Sequence, residues 1–308
     1  MSEIADGERG NWFAQAVQPL RRVLPRGLVP RRFRRDPIVP VVRLSGIIGV
    51  SSPLRPGLTL SGIAKTLDRA FAVPNASTVA LVINSPGGSP VQSHLIFRRI
   101  RELADEKNRR VVAFVEDAAA SGGYMIACAA DEIIADPHSI VGSIGVVGGT
   151  FGFTKLMEKV GIERRLYTSG EHKATLDPFL PENPDDVERL KKLQRQIHDS
   201  FIALVKSRRG GKLNGPENDL FSGEYWTGTR GMELGLVDGI GDLRGVLRQR
   251  FGDKLVTPLI SAERGWLGRR VSGVARGDLS MPAGLAGGLA DDLISALEAR
   301  AMWARFGL

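Results

Sequence analysis

The chain has 308 residues, of which 43% are hydrophobic and 25% charged, as is typical of soluble globular proteins. This apolar content is enough to form a core and excludes a wholly disordered chain. The net charge is +8, and the single cysteine, Cys128, excludes an intrachain disulfide framework and a cysteine-based zinc site.

The N-terminal segment is strongly basic. Seven arginines and no acidic residue lie between Leu20 and Arg35, and prolines in the same stretch discourage a long helix. We interpret residues 1–38 as an extended arm that contacts an anionic lipid surface, where each basic residue contributes about 1 kcal/mol. Non-specific contact with nucleic acid and a solvated arm without a partner are the alternatives.

No secretory signal or membrane-spanning helix is predicted. Acidic residues interrupt the N-terminal region, where a signal peptide would need a continuous apolar core. The longest charge-free stretch, Pro137–Thr154, contains five glycines and is interpreted as a strand followed by a turn. We therefore expect a cytoplasmic protein that meets the inner membrane peripherally, through the basic arm.

From residue 39 the sequence alternates between predicted strands and helices. Continuous apolar runs such as Val79–Ile83 are typical of strands that are buried on both faces. Strands are predicted at residues 38–44, 79–83, 111–115, 132–135 and 163–168, and helices at residues 60–71, 91–103 and 118–130. Strands separated by helices predict βαβ units around a mostly parallel sheet.

The C-terminal half is predicted to be mainly helical. Residues 184–209 have apolar side chains three or four positions apart, which predicts a long amphipathic helix. Shorter helices are predicted at residues 227–236 and 242–250, a linker at residues 264–285 and a terminal helix at residues 289–306. We therefore divide the chain into the arm (1–38), an α/β domain (39–255) and a linker with a helical C-terminal extension (256–308).

A pair of glycines follows one of the buried strands, in the turn Asn84–Gly88. Ligands gather at the carboxyl ends of parallel strands. Paired glycines such as Gly87 and Gly88 let the backbone approach a substrate and direct N–H groups at it, as an oxyanion hole requires. An ordinary strand-to-helix turn is the alternative.

Ser121 lies in a second turn, Ala120–Tyr124, where a predicted strand gives way to a helix. Amides at the helix N-terminus would stabilise the negative charge that develops when its hydroxyl attacks a carbonyl. The alternative is an N-cap serine, whose hydroxyl accepts a hydrogen bond from the helix backbone. The sequence is not the Gly-x-Ser-x-Gly elbow of α/β hydrolases, because Ala119 stands two residues before the serine.

A serine nucleophile needs a general base. None of the four histidines lies in a triad-like pattern, and the other solution is a lysine whose pKa is lowered by desolvation. Spacing alone does not separate the ten lysines. Lys173 differs from the others because it follows a candidate strand and a turn glycine, although a surface lysine is the alternative.

Three motifs in this order resemble the signal peptide peptidase A family, the serine peptidases of the protease IV group. The motifs are Asn84–Gly88, Ala120–Tyr124 and Ser169–Lys173, and the segments at residues 140–145 and 236–241 are similar to the family as well. The resemblance covers roughly residues 39–250. It implies an α/β fold of the ClpP/crotonase type, a spiral of ββα units, to which this sequence adds the helical C-terminal extension.

The resemblance also implies a role for each candidate residue. Ser121 would be the nucleophile and Lys173 the general base of a Ser/Lys dyad that uses no cofactor. Gly88, with its neighbour Gly87, matches the turn that supplies an oxyanion-hole amide, and the amide of Gly122 or of Ser121 itself would be the second donor.

The family also implies substrates and an assembly. Its substrates are cleaved signal peptides and other apolar, unfolded segments. Short members with one copy of each motif, which this chain resembles, form rings in which the lysine reaches the serine of a neighbouring subunit. We therefore expect a homo-oligomer with shared active sites, since an interface over Lys173 would also desolvate its amine.

Two other functions remain open. A crotonase-fold enzyme that acts on an acyl-CoA thioester would use the same two glycine turns as an oxyanion hole, and its activity would survive the loss of Ser121. A catalytically silent ring that binds apolar peptides or membrane partners would need neither Ser121 nor Lys173.

Members of the family commonly have an N-terminal membrane anchor, where this chain has its basic arm. Only the arm favours nucleic acid, and no metal or phosphate-binding motif is evident.

Overall fold

The computed structural model describes residues 36–49, 57–261 and 300–308. The basic arm up to residue 35, the predicted linker at residues 264–285 and the predicted terminal helix up to residue 299 lie outside the described residues. Residues 300–304 are helical.

The strands form one mostly parallel sheet. In chain order they are β1 (Val41–Ser45), β2 (Thr78–Ser85), β3 (Arg110–Ala120), β4 (Glu132–Ala135), β5 (Ile140–Gly142), β6 (Tyr225–Thr227) and β7 (Gly239–Ile240). The main path is β1-β2-β3-β4-β7, with parallel pairing throughout. The long strand β3 pairs with β4 along residues 112–115 and with β5 along residues 118–120, and β5 then pairs antiparallel with β6.

Helices connect these strands. They are α1 (Leu60–Ala72), α2 (Pro90–Lys107), α3 (Gly122–Ala127), α4 (Thr154–Val160), α5 (Pro184–Arg209), α6 (Glu217–Leu220), α7 (Gly228–Glu233) and α8 (Leu243–Phe251). Side chains cap the first two: Thr59 accepts a hydrogen bond from the Gly62 amide, and Ser89 accepts one from the Gln92 amide. In the part of the chain that the structure describes, no helix has both the length and the apolar character needed to cross a bilayer.

The two faces of the sheet are buried in separate apolar clusters. In β2, Leu81 and Ile83 belong to the larger cluster, which also takes in side chains of α1, α2, α3 and α5. Ala80 and Val82 belong to the smaller cluster, which is covered by Leu247 of α8. Because successive side chains of a strand point to opposite faces, both faces need apolar residues, which explains the continuous apolar runs in the sequence.

The structure confirms the predicted α/β class with a mostly parallel core, and its strand-helix order agrees with a fold of the ClpP/crotonase type. The predicted helix at residues 184–209 and the predicted strand at residues 132–135 have the bounds observed for α5 and β4. Residues 118–120, which were predicted as helix, continue β3 because they pair with β5.

The strand predicted at residues 163–168 is wrong. These residues are all exposed and extend without pairing to any other described strand. Without a neighbouring strand, their backbone groups are left to hydrogen-bond with water rather than within a sheet.

The outer edge of β1 is covered by a segment that we call the strap, residues 256–260. Val39 and Val41 donate backbone hydrogen bonds to the carbonyls of Val256 (3.0 Å) and Pro258 (2.9 Å), and Ile260 donates to Val41 (2.8 Å). The strap runs parallel to β1. Residues beyond 255 therefore complete the edge of the sheet.

Candidate active site

Ser121 occupies the turn between β3 and α3, and its backbone is strained. Its φ of 51° and ψ of −120° lie in a region that residues with a β-carbon seldom adopt. Two hydrogen bonds hold the turn: the Ser121 amide donates to the Gly142 carbonyl at 2.8 Å, and the Met125 amide donates to the Ser121 carbonyl at 3.0 Å. Strain that the surroundings maintain in this way is common at functional sites.

The hydroxyl of Ser121 does not cap the helix that follows it. Ser121 stands at the N-cap position of α3 but makes no side-chain cap hydrogen bond. The interpretation of Ser121 as an N-cap serine is therefore wrong. The residue is partly exposed, so a substrate can approach its hydroxyl.

Gly87 packs directly against the Ser121 turn. A β-carbon at Gly87 would lie 2.8 Å from the Ser121 Cβ and 3.0 Å from the Gly122 nitrogen, closer than real side chains approach. A β-carbon at Gly122 would collide with Ser93, which is fully buried in α2. These two glycines therefore allow the two turns to meet.

The two turns contain four backbone amides of interest, and two of them have acceptors. The Gly87 amide donates to Ser85 Oγ at 3.2 Å, and the Ser121 amide is held by Gly142. The amides of Gly88 and Gly122 have no acceptor among the residues with described positions. Gly122 is the first residue of α3, where helix amides lack an intrahelical partner.

The Gly88 turn is fixed from the other side by Ile48. The Ile48 amide donates to the Gly87 carbonyl and the Ser89 amide donates to the Ile48 carbonyl, both at 2.8 Å. Gly88 has a φ of 140°, and a β-carbon there would collide with the Ile48 carbonyl oxygen. The free amide of Gly88 is therefore rigidly placed.

Lys173 lies in a different environment. It is exposed, in a turn where its amide donates to the Gly170 carbonyl at 3.3 Å. Within the described ranges, its ammonium group has no hydrogen bond or ion pair. The structure brings together Ser121, Gly87 and Gly122, and it shows no contact of Lys173 with them in the single subunit.

Residues 145–183 carry Lys173, the candidate base, and we call them the base-bearing segment. Much of the apolar surface of this segment is exposed. Helix α4, which lies in it, buries none of its residues. Its exposed large apolar residues are Val147, Phe151, Phe153, Leu156, Val160, Ile162, Leu166, Tyr167, Phe179 and Leu180. An open cleft of about 740 Å³ lies between residues 150–155 and residues 171–189. Exposed apolar side chains concentrated in one segment are typical of a contact region.

Buried polar contacts hold helix α3 in place. Tyr124 is fully buried and donates its hydroxyl hydrogen to the Leu236 carbonyl at 2.7 Å. Close by, Arg209 is 3% exposed and pairs with Asp238, which also pairs with Lys212. Burial alone would raise the pKa of Asp238, but hydrogen bonds from Arg209 and Lys212 lower it. Burial raises the pKa of Cys128, in the same helix region, to about 12.

Ser143, which no motif in the sequence pointed to, lies beside this site. Ser143 directly follows the Gly142 whose carbonyl holds the Ser121 amide, is 8% exposed and has a φ of 52°. Its amide donates to the Glu224 carbonyl at 2.7 Å. The only signal in the sequence was its place in the segment at residues 140–145. No group of three or more metal-binding side chains is found where residue positions are described.

Comparison with known proteins identifies relatives of this chain. Residues 104–254 match the family model described as peptidase family S49, and this range includes Ser121 and Lys173. The serine protease SPPA, chloroplastic, of Arabidopsis thaliana is 35% identical over 165 residues, which are 52% of this chain and 24% of that protein. A solved structure of the 1510-N membrane-bound stomatin-specific protease aligns with a TM-score of 0.43 at 18% identity, over 74% of this chain and 95% of that one.

A further relative has a different name. The Na(+)/H(+) antiporter NhaA of Brucella abortus (strain 2308) is 56% identical over 284 residues, which are 91% of this chain and 38% of that protein. This chain thus spans less than two fifths of the length of the Brucella protein and about a quarter of the Arabidopsis one.

Proposed function

This chain belongs to peptidase family S49 through residues 104–254, and from that premise we propose that it is a serine endopeptidase. Ser121 is the nucleophile and Lys173 the general base. The amides of Gly88 and Gly122 form the oxyanion hole, and Gly87 lets the two turns approach each other.

The observation that carries this proposal is the conformation of Ser121. Its backbone is strained, its hydroxyl does not cap α3, and the adjoining turns hold two amides that have no acceptor among the described residues. A structural serine at a helix start would use its hydroxyl to satisfy a helix amide. A nucleophile needs the opposite arrangement, with the hydroxyl free and the amides directed at the charge that it creates.

The proposed reaction is acyl transfer to Ser121 followed by hydrolysis. Neutral Lys173 takes the proton of Ser121 Oγ as the oxygen bonds to the peptide carbonyl carbon, and the carbonyl oxygen becomes an oxyanion held by Gly88 and Gly122. Lys173 then gives the proton to the leaving amine as the C–N bond breaks. A water molecule, deprotonated by Lys173, attacks the acyl-enzyme carbonyl carbon. The bond from that carbon to Ser121 Oγ then breaks, Lys173 returns the proton to Oγ, and the acid is released. Each oxyanion donor contributes on the order of 3 kcal/mol to lowering the barrier.

We propose that a second copy of the chain completes the site. Lys173 is exposed in the single subunit, whereas a lysine acts as a base only when its charged form is desolvated or repelled. The apolar base-bearing segment gives a reason for a second copy to cover this region. A homo-oligomeric ring, with Lys173 of one subunit serving Ser121 of the next, meets both requirements.

The proposed substrates are cleaved signal peptides and other apolar, unfolded segments. This rests on the resemblance of the three motifs to signal peptide peptidases. A peripheral position at the inner face of a membrane, through the arginine-rich segment at residues 20–35, would bring the enzyme to such substrates. Loss of binding to anionic vesicles when these arginines are replaced by glutamine would support that position.

The decisive experiment compares hydrolysis of casein and of a signal peptide by the wild type, Ser121→Ala and Lys173→Ala. We expect activity to fall at least a thousandfold in both variants. Ser222→Ala, a change in an exposed serine, is the matched control. Activity regained when the two inactive variants are mixed would support a dyad shared between subunits.

Other outcomes would indicate a different arrangement of the dyad or a different function. Failure to regain activity in hybrid oligomers that have been shown to form would place the dyad within one chain. Equal hydrolysis by all proteins would contradict a peptidase. Turnover of an acyl-CoA thioester by Ser121→Ala would favour the crotonase-type reaction.

A further inference from the structure

Strand β3 changes its register against β2 shortly before the candidate nucleophile. Residues 78–83 of β2 pair in direct register with residues 110–115 of β3, whereas Ser85 lies opposite Ala119. Strand β3 therefore holds two more residues than β2 at this point, and we call them the offset, residues 116–117. The offset also separates the part of β3 that pairs with β4 from the part that pairs with β5.

The offset determines how far along the sheet Ser121 lies. Ser121 and Gly87 both stand two residues beyond the pair of Ser85 and Ala119, and a β-carbon at Gly87 would lie 2.8 Å from the Ser121 Cβ. Without the offset, Ser121 would lie two residues, or about 7 Å, further along the strand. Because the offset is an even number of residues, Ala119 faces the larger apolar cluster just as Val115 does.

The side chain of Asn84 holds the offset from the β2 side. Its Nδ2 donates a hydrogen bond to Asp117 Oδ2 at 2.6 Å, and its Oδ1 accepts one from the Ala118 amide at 3.3 Å. Ala118 is the first residue of β3 that pairs with β5. Asn84 thus supplies an acceptor to a backbone amide at the point where the extra residues interrupt the ladder between β2 and β3.

Ser139 holds the offset from the side of β5. It is 2% exposed and directly precedes that strand. Its Oγ donates to the Glu116 carbonyl, 2.5 Å away, and lies 3.1 Å from the Val115 carbonyl oxygen. Strand β5 also contains Gly142, whose carbonyl accepts the hydrogen bond of the Ser121 amide. One buried hydroxyl therefore links the offset to the strand that fixes the nucleophile turn.

We propose that Asn84 and Ser139 are positioning residues for Ser121, because they hold the offset that sets its hydroxyl beside the glycine turn of β2. The proposal rests on the proposed peptidase function, in which Ser121 is the nucleophile. The hydrogen bonds of both side chains go to the offset and its neighbours, so each residue acts on Ser121 through the backbone. Bulges of this kind occur next to active sites, where they re-aim a side chain.

The first test measures hydrolysis of casein and of a fluorogenic signal peptide by Asn84→Ala and by Ser139→Ala. Each substitution removes hydrogen bonds to the offset and should misplace Ser121. We expect kcat to fall about ten- to a hundredfold, with KM within about twofold of the wild type. Asn218→Ala, the same change in an exposed asparagine, should leave kcat unchanged. Full kcat in Asn84→Ala or in Ser139→Ala would overturn the role of that residue.

An exchange of two side chains tests the pair directly. In Asn84→Asp/Asp117→Asn, the amide at position 117 can donate to the carboxylate at position 84, which can still accept from the Ala118 amide. This double variant should recover most of the kcat that Asn84→Ala loses. A double variant as slow as Asn84→Ala would overturn the proposal that this pair holds the offset.

The second test does not depend on hydrolysis. Hydrogen–deuterium exchange followed by mass spectrometry reports on the backbone of residues 116–124. In Asn84→Ala these amides should exchange at least about tenfold faster than in the wild type, while those of residues 110–115 stay protected. The double variant should restore slow exchange. Unchanged exchange in Asn84→Ala would overturn the proposal. The expected change in a protein whose wild type hydrolyses no peptide would uphold the placement of Ser121 by the offset and contradict the peptidase.

Discussion

The turn that carries Ser121 and the segment that carries Lys173 are built in opposite ways. Around Ser121 the glycines approach so closely that a β-carbon at Gly87, Gly88 or Gly122 would collide with a neighbour. In the base-bearing segment, α4 buries nothing, and a β-carbon at Gly149 or Gly152 would meet no atom within 4 Å. The subunit therefore fixes the Ser121 turn firmly and leaves Lys173 on an open surface.

This difference shows what holds each half of the candidate site in place. Ser121 and the amides of Gly88 and Gly122 are held by the core that packs against them, so their geometry is established when the subunit folds. Lys173 has no such support, and the exposed apolar residues of its segment are what the proposed contact between subunits would cover. A substitution near Ser121 should act on folding, whereas one in the base-bearing segment should act on assembly.

Gly88→Ala should produce the largest effect. The new methyl group would collide with the Ile48 carbonyl oxygen at a φ of 140°, and strain with overpacking should lower the free energy of unfolding by about 3 kcal/mol or more. Gly149→Ala, the matched change in the base-bearing segment, should stay within about 0.5 kcal/mol of the wild type. Urea denaturation followed by circular dichroism measures both. A Gly88→Ala protein as stable as the wild type would contradict the contrast between a closely packed Ser121 turn and an open base-bearing segment.

Asp238→Asn should have the next largest effect. It removes the carboxylate that pairs with the buried Arg209, and an unpaired buried charge costs about 3 kcal/mol. The pKa of Asp238 is lowered in the folded protein, so its carboxylate stabilises the fold above the ordinary value near 3.8 and stops doing so as the pH falls through the lowered value.

Thermal unfolding between pH 7 and pH 2 tests this prediction. The stability difference between the wild type and Asp238→Asn should be constant above about pH 5 and shrink as the pH falls below about 4. Asp253→Asn, a change in an exposed aspartate, is the control. A difference that grows on acidification would contradict the role given to the Arg209–Asp238 pair.

The smallest expected effect concerns thiol reactivity rather than stability. Labelling with a thiol reagent compares the two regions directly. Cys128 is fully buried and its pKa is raised to about 12, so it should react with a thiol reagent at pH 8 on the order of a thousandfold more slowly than a free cysteine. Leu156→Cys, at a position 56% exposed on α4, should react at once in dilute protein and more slowly as copies assemble. Rapid labelling of native wild-type protein would show that the Ser121 region is less closed than described.

Much of the fold could be predicted from the sequence because its signals are local. The continuous apolar run in β2 and the helical spacing of α5 follow from burial on two faces and on one face, respectively. The predicted strand at residues 163–168 failed because a local pattern does not reveal whether a partner strand exists. The end of β3 was misassigned for the converse reason, since only β5 makes Ala118–Ala120 a strand.

The sequence pointed to the residues of the candidate site, but their backbone conformation and hydrogen bonding could not be predicted from it. The motif order pointed to Ser121 and Gly88, yet the conformation of the two turns depends on backbone hydrogen bonds with distant residues, Gly142 and Ile48. The ring of Phe306 also meets that of Tyr225 edge-on, a contact that depends on 80 residues of intervening chain. No periodicity or spacing encodes it, because neither side chain belongs to the buried core.

The strap on the edge of β1 has a consequence for how the protein is made. Its residues pair with a strand that leaves the ribosome more than two hundred residues earlier. At about 5–20 residues per second, the edge of β1 waits about 10–40 s for its cover. During that interval the nascent chain exposes an unpaired strand, which other polypeptides can join. Arrested synthesis before residue 256 would leave this edge permanently open, so translation speed and chaperone access, as well as sequence, should govern the yield of native protein.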